Sequence, residues 1–235
     1  MSGVNASTLW YVDVDDPTAV LRDAASDREA AQALVVQLHP GLEVTRVGDE
    51  PLSEATELDE GEVVVGCFSG VSIVRTGESL PPVPSSLVNQ WISPTGFRHT
   101  YLYSSSSVTG AGSWGVFAHW DGAELKRSFS ATPINIVEDL GLPQVWERPF
   151  WAGEHPMQPS VDVLPDPQTL PFDPAEFAEA ASRAWLGEDL DPASISVSRF
   201  AIYPAGDIPT SVRRLAEREQ ERSKRRSLLT RLFRK

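Results

Sequence analysis

Asp121-Gly122 stands between two runs of alternating apolar and polar residues, 113–120 and 123–132. Asp-Gly suits the left-handed positions of a type I′ turn, whose twist matches that of the strands it joins, so this stretch is committed to an antiparallel hairpin. A third alternating run, 99–107, precedes it and extends the hairpin to a meander. Any fold for this chain must therefore be built around an antiparallel sheet with a solvated or helix-covered face.

The flanking segments supply more strands and a few helices. Residues 8–14, 42–47, 62–68, 71–75 and 199–203 are short apolar or β-branched runs bounded by turn formers, and read as strands. Asp27 is placed to cap a helix over 28–38, with Ala30, Leu34 and Leu38 on one face and His39-Pro40-Gly41 as its stop. Asp173 is placed to cap a second, over 174–186, with Phe177, Ala181 and Trp185 aligned and Gly187 behind. A short helix is expected from Pro84 to Trp91, an exposed acidic loop over 49–60, and a linker over 77–84. Six prolines between residues 156 and 174 leave room only for an extended strap. The expected class is α+β, with a mainly antiparallel sheet, two or three flanking helices and the Pro-rich strap, followed by a basic helical tail. The expected division is an acidic globular domain over 1–205 and a basic amphipathic tail over 206–235.

Charge separates those two parts. The net charge is −13, but residues 211–235 hold ten basic and three acidic side chains, so the body carries about −20 and the tail +7. An acidic body repels nucleic acid and anionic lipid, which leaves the tail to make any such contact. There, Leu228, Leu229, Leu232 and Phe233 fall within one helical arc with Arg226, Arg231, Arg234 and Lys235 around it, a pattern suited to an anionic membrane surface. Nucleic-acid contact through 222–226 is the weaker expectation. One cysteine and no apolar run of spanning length point to a cytoplasmic protein without disulfides, peripheral at most on the inner face of the membrane.

No catalytic constellation is complete. Asp13 and Asp15 lie two residues apart after the first strand and resemble the nucleophile loop of haloacid-dehalogenase-type phosphotransferases, where such carboxylates hold Mg²⁺. The Lys and second acidic pair of that chemistry are missing, so neither a metal nor a cofactor is expected. Cys67, in Gly66-Cys67-Phe68-Ser69-Gly70, is a candidate thiol nucleophile, but free Cys at the end of an apolar strand is more often core. Glu154-His155, on a loop after Phe150-Trp151, is a candidate acid/base pair, with backbone capping as its plainer role. Eleven aromatics between Trp91 and Trp151 are either core or an exposed patch; on the strand over 113–120, both faces carry one.

In the order YVDVD, DREAAQALV, GCFSGV, RSFSATP, PFWAGEHP and LPFDPAEF, the chain resembles an uncharacterised family of actinobacterial proteins over residues 8–204. The match is closest at PFWAGEHP and GCFSGV and departs at Val14, where a Gly is expected. The resemblance implies a cytoplasmic bacterial globular protein and assigns no activity, ligand or catalytic residue. Together these features point to a non-enzymatic regulatory or adaptor protein that binds a protein partner and associates reversibly with anionic membrane through its tail. The alternative is a small hydrolase using Cys67 or Glu154 with His155.

Overall fold

The computed structural model describes residues 7–216 apart from 23, 78, 79, 95, 109–111 and 158–168. Among these residues nine strands form one sheet: β1 (Ser7–Val12), β2 (Glu43–Pro51), β3 (Glu62–Phe68), β4 (Val71–Thr76), β5 (His99–Val108), β6 (Gly112–Asp121), β7 (Glu124–Thr132), β8 (Asn135–Gly141) and β9 (Ser196–Tyr203). Their order is β2-β9-β3-β4-β1-β5-β6-β7-β8, and every pair is antiparallel. The helices are α1 (Pro17–Leu21), α2 (Arg28–Leu38), α3 (Asn89–Ile92), α4 (Arg148–Trp151) and α5 (Pro174–Leu186), and residues 210–216 are also helical. Among the described residues only α2 and α5 are longer than two turns, so the α+β class holds with more and shorter helical pieces than expected.

The hairpin forms where the Asp121-Gly122 turn places it, pairing β6 with β7, and β5 pairs with β6 along its length. Alternation then decides both faces. Val116, Ala118 and Trp120 pack with Leu9, Tyr11, Trp91 and the α2 side chains on one side of the sheet. Phe117 packs with Phe129, Phe150, Phe172 and Phe177 on the other, under α5. Both faces of β6 are covered, so most of the central aromatics are core, and Trp151 is the half-exposed exception. Close approach of α5 is possible because residue 115 is Gly: a Cβ there would stand 1.7 Å from the Pro174 carbonyl oxygen.

Both long helices start at their expected caps. The Asp27 carboxylate accepts from the N–H groups of Glu29 and Ala30, and that of Asp173 from Ala175 N–H. In α2 the buried face is Ala31, Leu34, Val35 and Leu38, while Ala30 is exposed; at 3.6 residues per turn the strip drifts from a strict four-residue step. The expected helix from Pro84 to Trp91 is two pieces, a 3-10 turn over Pro84–Ser86 and α3, because Leu87 and Val88 are extended. The expected acidic loop over 49–60 is also corrected. β2 runs on to Pro51, and Leu52, Ala55 and Leu58 turn inward against Ile73 and Val197, with the Arg75 guanidinium donating to the carbonyls of Leu52 and Ala55. Its acidic side chains face outward while its apolar ones are core, so net acidity hid a buried turn. β8, not expected from the sequence, closes the sheet beside β7.

At that end lies an ion pair with no water contact. Arg127 and Glu147 are both fully buried and bonded in fork geometry, Nε to Oε1 at 2.9 Å and Nη2 to Oε2 at 2.8 Å. Arg127 Nη1 also donates to Asp139 at 2.5 Å and to the Leu140 carbonyl at 2.9 Å, tying β8 to β7. Glu147 accepts from Gln144 N–H, which fixes the turn that leads into α4. Burial alone would lower the arginine's affinity for its proton, but the two carboxylates outweigh it and hold the guanidinium charged. Arg127→Met is expected to cost about 3–5 kcal/mol in urea unfolding, by leaving Glu147 buried without its partner, and Arg127→Met with Glu147→Met less than the sum of the two single changes.

Candidate functional site

Of the side chains singled out in the sequence, none is assembled into a catalytic group. Cys67 ends β3 on the α2 side of the sheet; it is buried, and its Sγ accepts from the Ser72 hydroxyl at 3.4 Å. Burial pushes its thiol above the ordinary range, and the Asp27 charge adds to this. A thiol held protonated is a poor nucleophile. Its backbone instead anchors the start of α2: Cys67 N–H donates to Ser26 Oγ and its carbonyl accepts from Asp27 N–H. Alkylation of Cys67 in the native protein is accordingly expected to be slow and to accelerate many-fold on denaturation, measured by thiol titration with and without guanidinium.

Glu154 and His155 do not pair with each other. Glu154 is exposed and its N–H donates to the Pro149 carbonyl. The His155 ring stacks on Phe150 at 4.0 Å between centroids and 9° between planes, and its Nδ1 lies 3.1 Å from Glu176 on α5. His155 thus clips the α4 loop to α5, while Glu154 bonds within the loop through its main chain. Asp13 and Asp15 are exposed, and among the described residues no group of three or more His, Cys, Asp or Glu side chains is placed to hold a metal. Arg226, Leu228, Leu229, Arg231, Leu232, Phe233, Arg234 and Lys235 lie outside the described residues.

Three features missed in the sequence stand out instead. One is the β8 edge. Among the described residues its outer side is unpaired, and Ile134, Ile136, Val137, Leu140, Leu142 and Val145 are exposed on and beside it, Leu142 by 86% and Val145 by 74%. Both of its carboxylates are occupied within the chain: Glu138 accepts from Ser85 N–H and from the hydroxyls of Ser85 and Ser128, and Asp139 from Arg127. The opposite edge, β2, differs. It carries Glu43, Arg46, Asp49 and Glu50, a register break between Arg46 and Gly48, and a terminal proline, the features that discourage strand addition.

The second is a cavity of about 250 Å³ between the sheet and the C-terminal half of α5, lined among others by Trp10, Arg75, Tyr103, Glu179, Arg183 and Glu188. Trp10 is buried and its indole Nε1 has no hydrogen-bond partner among the described residues. The turn that closes this cavity depends on Gly187, which ends α5 at φ 102°.

The third is a histidine pair on neighbouring strands. His119 Nε2 and His99 Nδ1 are 3.2 Å apart, with Tyr101 stacked on His119 at 4.7 Å and on Trp185 at 4.8 Å. Burial, then the neighbouring His99, and then Lys126 pull the His119 pKa down to about 4, against the attraction of Asp121. A free His titrates near 6.5, so as pH falls from there to about 4 the unfolded chain takes up a proton that the folded one refuses. Stability is expected to fall over that window, and thermal melts of His119→Gln at stepped pH are expected to show a shallower slope.

No curated protein and no solved structure matches the chain at a significant level. One family model does, over residues 6–200, from β1 into β9. With most of its length matched, the chain belongs to the family of unknown function DUF6928.

Proposed function

We propose that the protein is a non-enzymatic regulatory or adaptor protein that takes an extended segment of a protein partner as a tenth strand along β8, and that its tail carries it reversibly to anionic membrane. The observation that carries this reading is the contrast between the two sheet edges. Both edges carry a register break and hydrogen-bonded carboxylates, but β2 ends at Pro51 and exposes none of its large apolar side chains, whereas β8 has no partner strand on its outer side among the described residues and exposes Ile136, Val137 and Leu140. Main-chain pairing would supply affinity and alternate side-chain contacts specificity. With about −20 on the body, the favoured partner segment is apolar and basic, drawn in by the field of the whole surface. The buried, protonated thiol of Cys67 and the separation of Glu154 from His155 weigh against the hydrolase alternative.

Membrane association rests on the tail sequence. Each of its basic side chains near an anionic surface is worth about 1 kcal/mol, and the four leucine and phenylalanine side chains add apolar burial. Cosedimentation of the full chain with anionic vesicles is expected to weaken with salt and to be lost when Leu228, Leu229, Leu232 and Phe233 are changed to Ser; neutral vesicles are expected to leave the protein in solution. Binding that survives those changes would remove the tail from the account. Ile136→Lys with Leu140→Lys is expected to abolish recovery of a partner by the full chain without lowering its melting temperature. Unchanged recovery would rule out the edge.

A further inference from the structure

We propose that residues 227–235 of this chain occupy the β8 edge when no membrane is present, and that anionic lipid frees the edge by taking up the same apolar side chains. This rests on the edge and tail readings above and adds the regulation that joins them.

The edge is apolar on both faces. The β7–β8 register breaks at Val137, so Ile136 stands opposite Ala131 while Leu140 stands opposite Ser128, and the two fall on opposite faces of the sheet. Ala131 belongs to the aromatic cluster under α5, whereas Ser128 lies with Glu138 and Ser85 on the other side. Ile136 and Leu140 are both exposed, as are Leu142 and Val145 beyond the strand end. A segment apolar on one face only would leave half of this edge uncovered. Residues 228–234, Leu-Leu-Thr-Arg-Leu-Phe-Arg, match the seven residues of β8 in length. Laid extended along the edge, they put Leu228 and Leu232 on one face and Leu229 and Phe233 on the other. They lie outside the described residues.

Charge and reach agree with that fit. No Arg or Lys occurs from 133 to 147, where Glu138, Asp139 and Glu147 fall, and Asp139 keeps 41% of its side chain exposed beside Arg127. The tail carries +7 against about −20 on the body, so the field of the body draws it inward. β9, from which the tail departs, lies seven strand spacings from β8, about 34 Å at ~4.8 Å each. Residues 217–227 cover up to about 37 Å when extended. As part of the same chain, the tail competes intramolecularly, and a separate segment making equal contacts is displaced by it. At an anionic surface, Leu228, Leu229, Leu232 and Phe233 enter the lipid boundary and cannot lie on the edge as well. Membrane and edge then exclude each other, and a partner is admitted only where the tail is on lipid.

The test is hydrogen exchange of the full chain, read by mass spectrometry over β8 peptides, with β2 peptides as the control. Three states are compared: the chain alone, the chain with Leu228, Leu229, Leu232 and Phe233 changed to Ser, and the unchanged chain bound to vesicles of phosphatidylserine and phosphatidylcholine. Exchange at β8 is expected to speed up tenfold or more in the Ser variant and on the vesicles, while exchange at β2 holds. Equal exchange at β8 in the unchanged chain and the Ser variant would overturn the proposal; if Ile136→Lys with Leu140→Lys still abolishes partner recovery, the edge reading stands without it. Protection that persists on bound anionic vesicles would overturn the exclusion. Protection lost on tenfold dilution of the chain would put the tail of a second copy on the edge and overturn the contact within one chain.

Discussion

The Arg127–Glu147 pair is the constraint on which the β7–β8 end of the sheet depends. A fully buried guanidinium is tolerated only if each of its donors finds an acceptor, and here they find Glu147, Asp139 and two main-chain carbonyls. Those acceptors come from β7, β8 and the turn before α4, so satisfying one charge fixes three segments relative to each other. The rings of Phe117 and Phe129 flank the guanidinium at 5.7 and 5.9 Å, which joins the polar network to the aromatic cluster under α5. A purely apolar replacement could be as stable, but the pair leaves one arrangement of β8 in which no charge is stranded.

That arrangement accounts for the character of the exposed edge. Glu138 and Asp139 would normally guard an edge strand by pointing charge at an incoming chain. Here one is drawn to Ser85 and Ser128 and the other to Arg127, so the strand spends its acidic residues on its own fold. Among the described residues, the apolar side chains left outside are covered by no packing partner. The β2 edge also pairs its carboxylates within the chain, Asp49 with Arg28 and Arg46 and Glu50 with Arg199, but it leaves none of its large apolar side chains exposed.

How much of this was legible in the sequence follows from the range of the interactions. The hairpin at Asp121-Gly122 and the caps at Asp27 and Asp173 act over two to four residues, and each forms where its residues place it. β8 was missed because Asn135–Gly141 lacks alternation: its apolar residues face out, and its carboxylates are turned to partners up to 53 residues away. Leu52, Ala55 and Leu58 were hidden among acids for the same reason, since the Arg75 contact that folds them inward is set by strand pairing. The membership in an uncharacterised family was readable from local motifs such as PFWAGEHP. The cavity beside Trp10 was not, because its walls come from β1, β4, β5 and α5, positions 10 to 188 in the chain, and no local spacing brings them together.

Cys67 shows why residue type is a weak guide to chemistry in such a fold. It had the strand-end position and flanking glycines of a nucleophile, yet the chain uses its main-chain groups, not its thiol, to seat Ser26 and Asp27 at the start of α2. Gly66 is needed there for space, since a Cβ would come within 2.9 Å of Phe68 and Val197 side-chain atoms. Among the described residues the buried polar atoms without a partner lie elsewhere, at Trp10, Ser104, His119 and Ser130, so the strand-end position that marks Cys67 by type coincides with no unmet group in the fold.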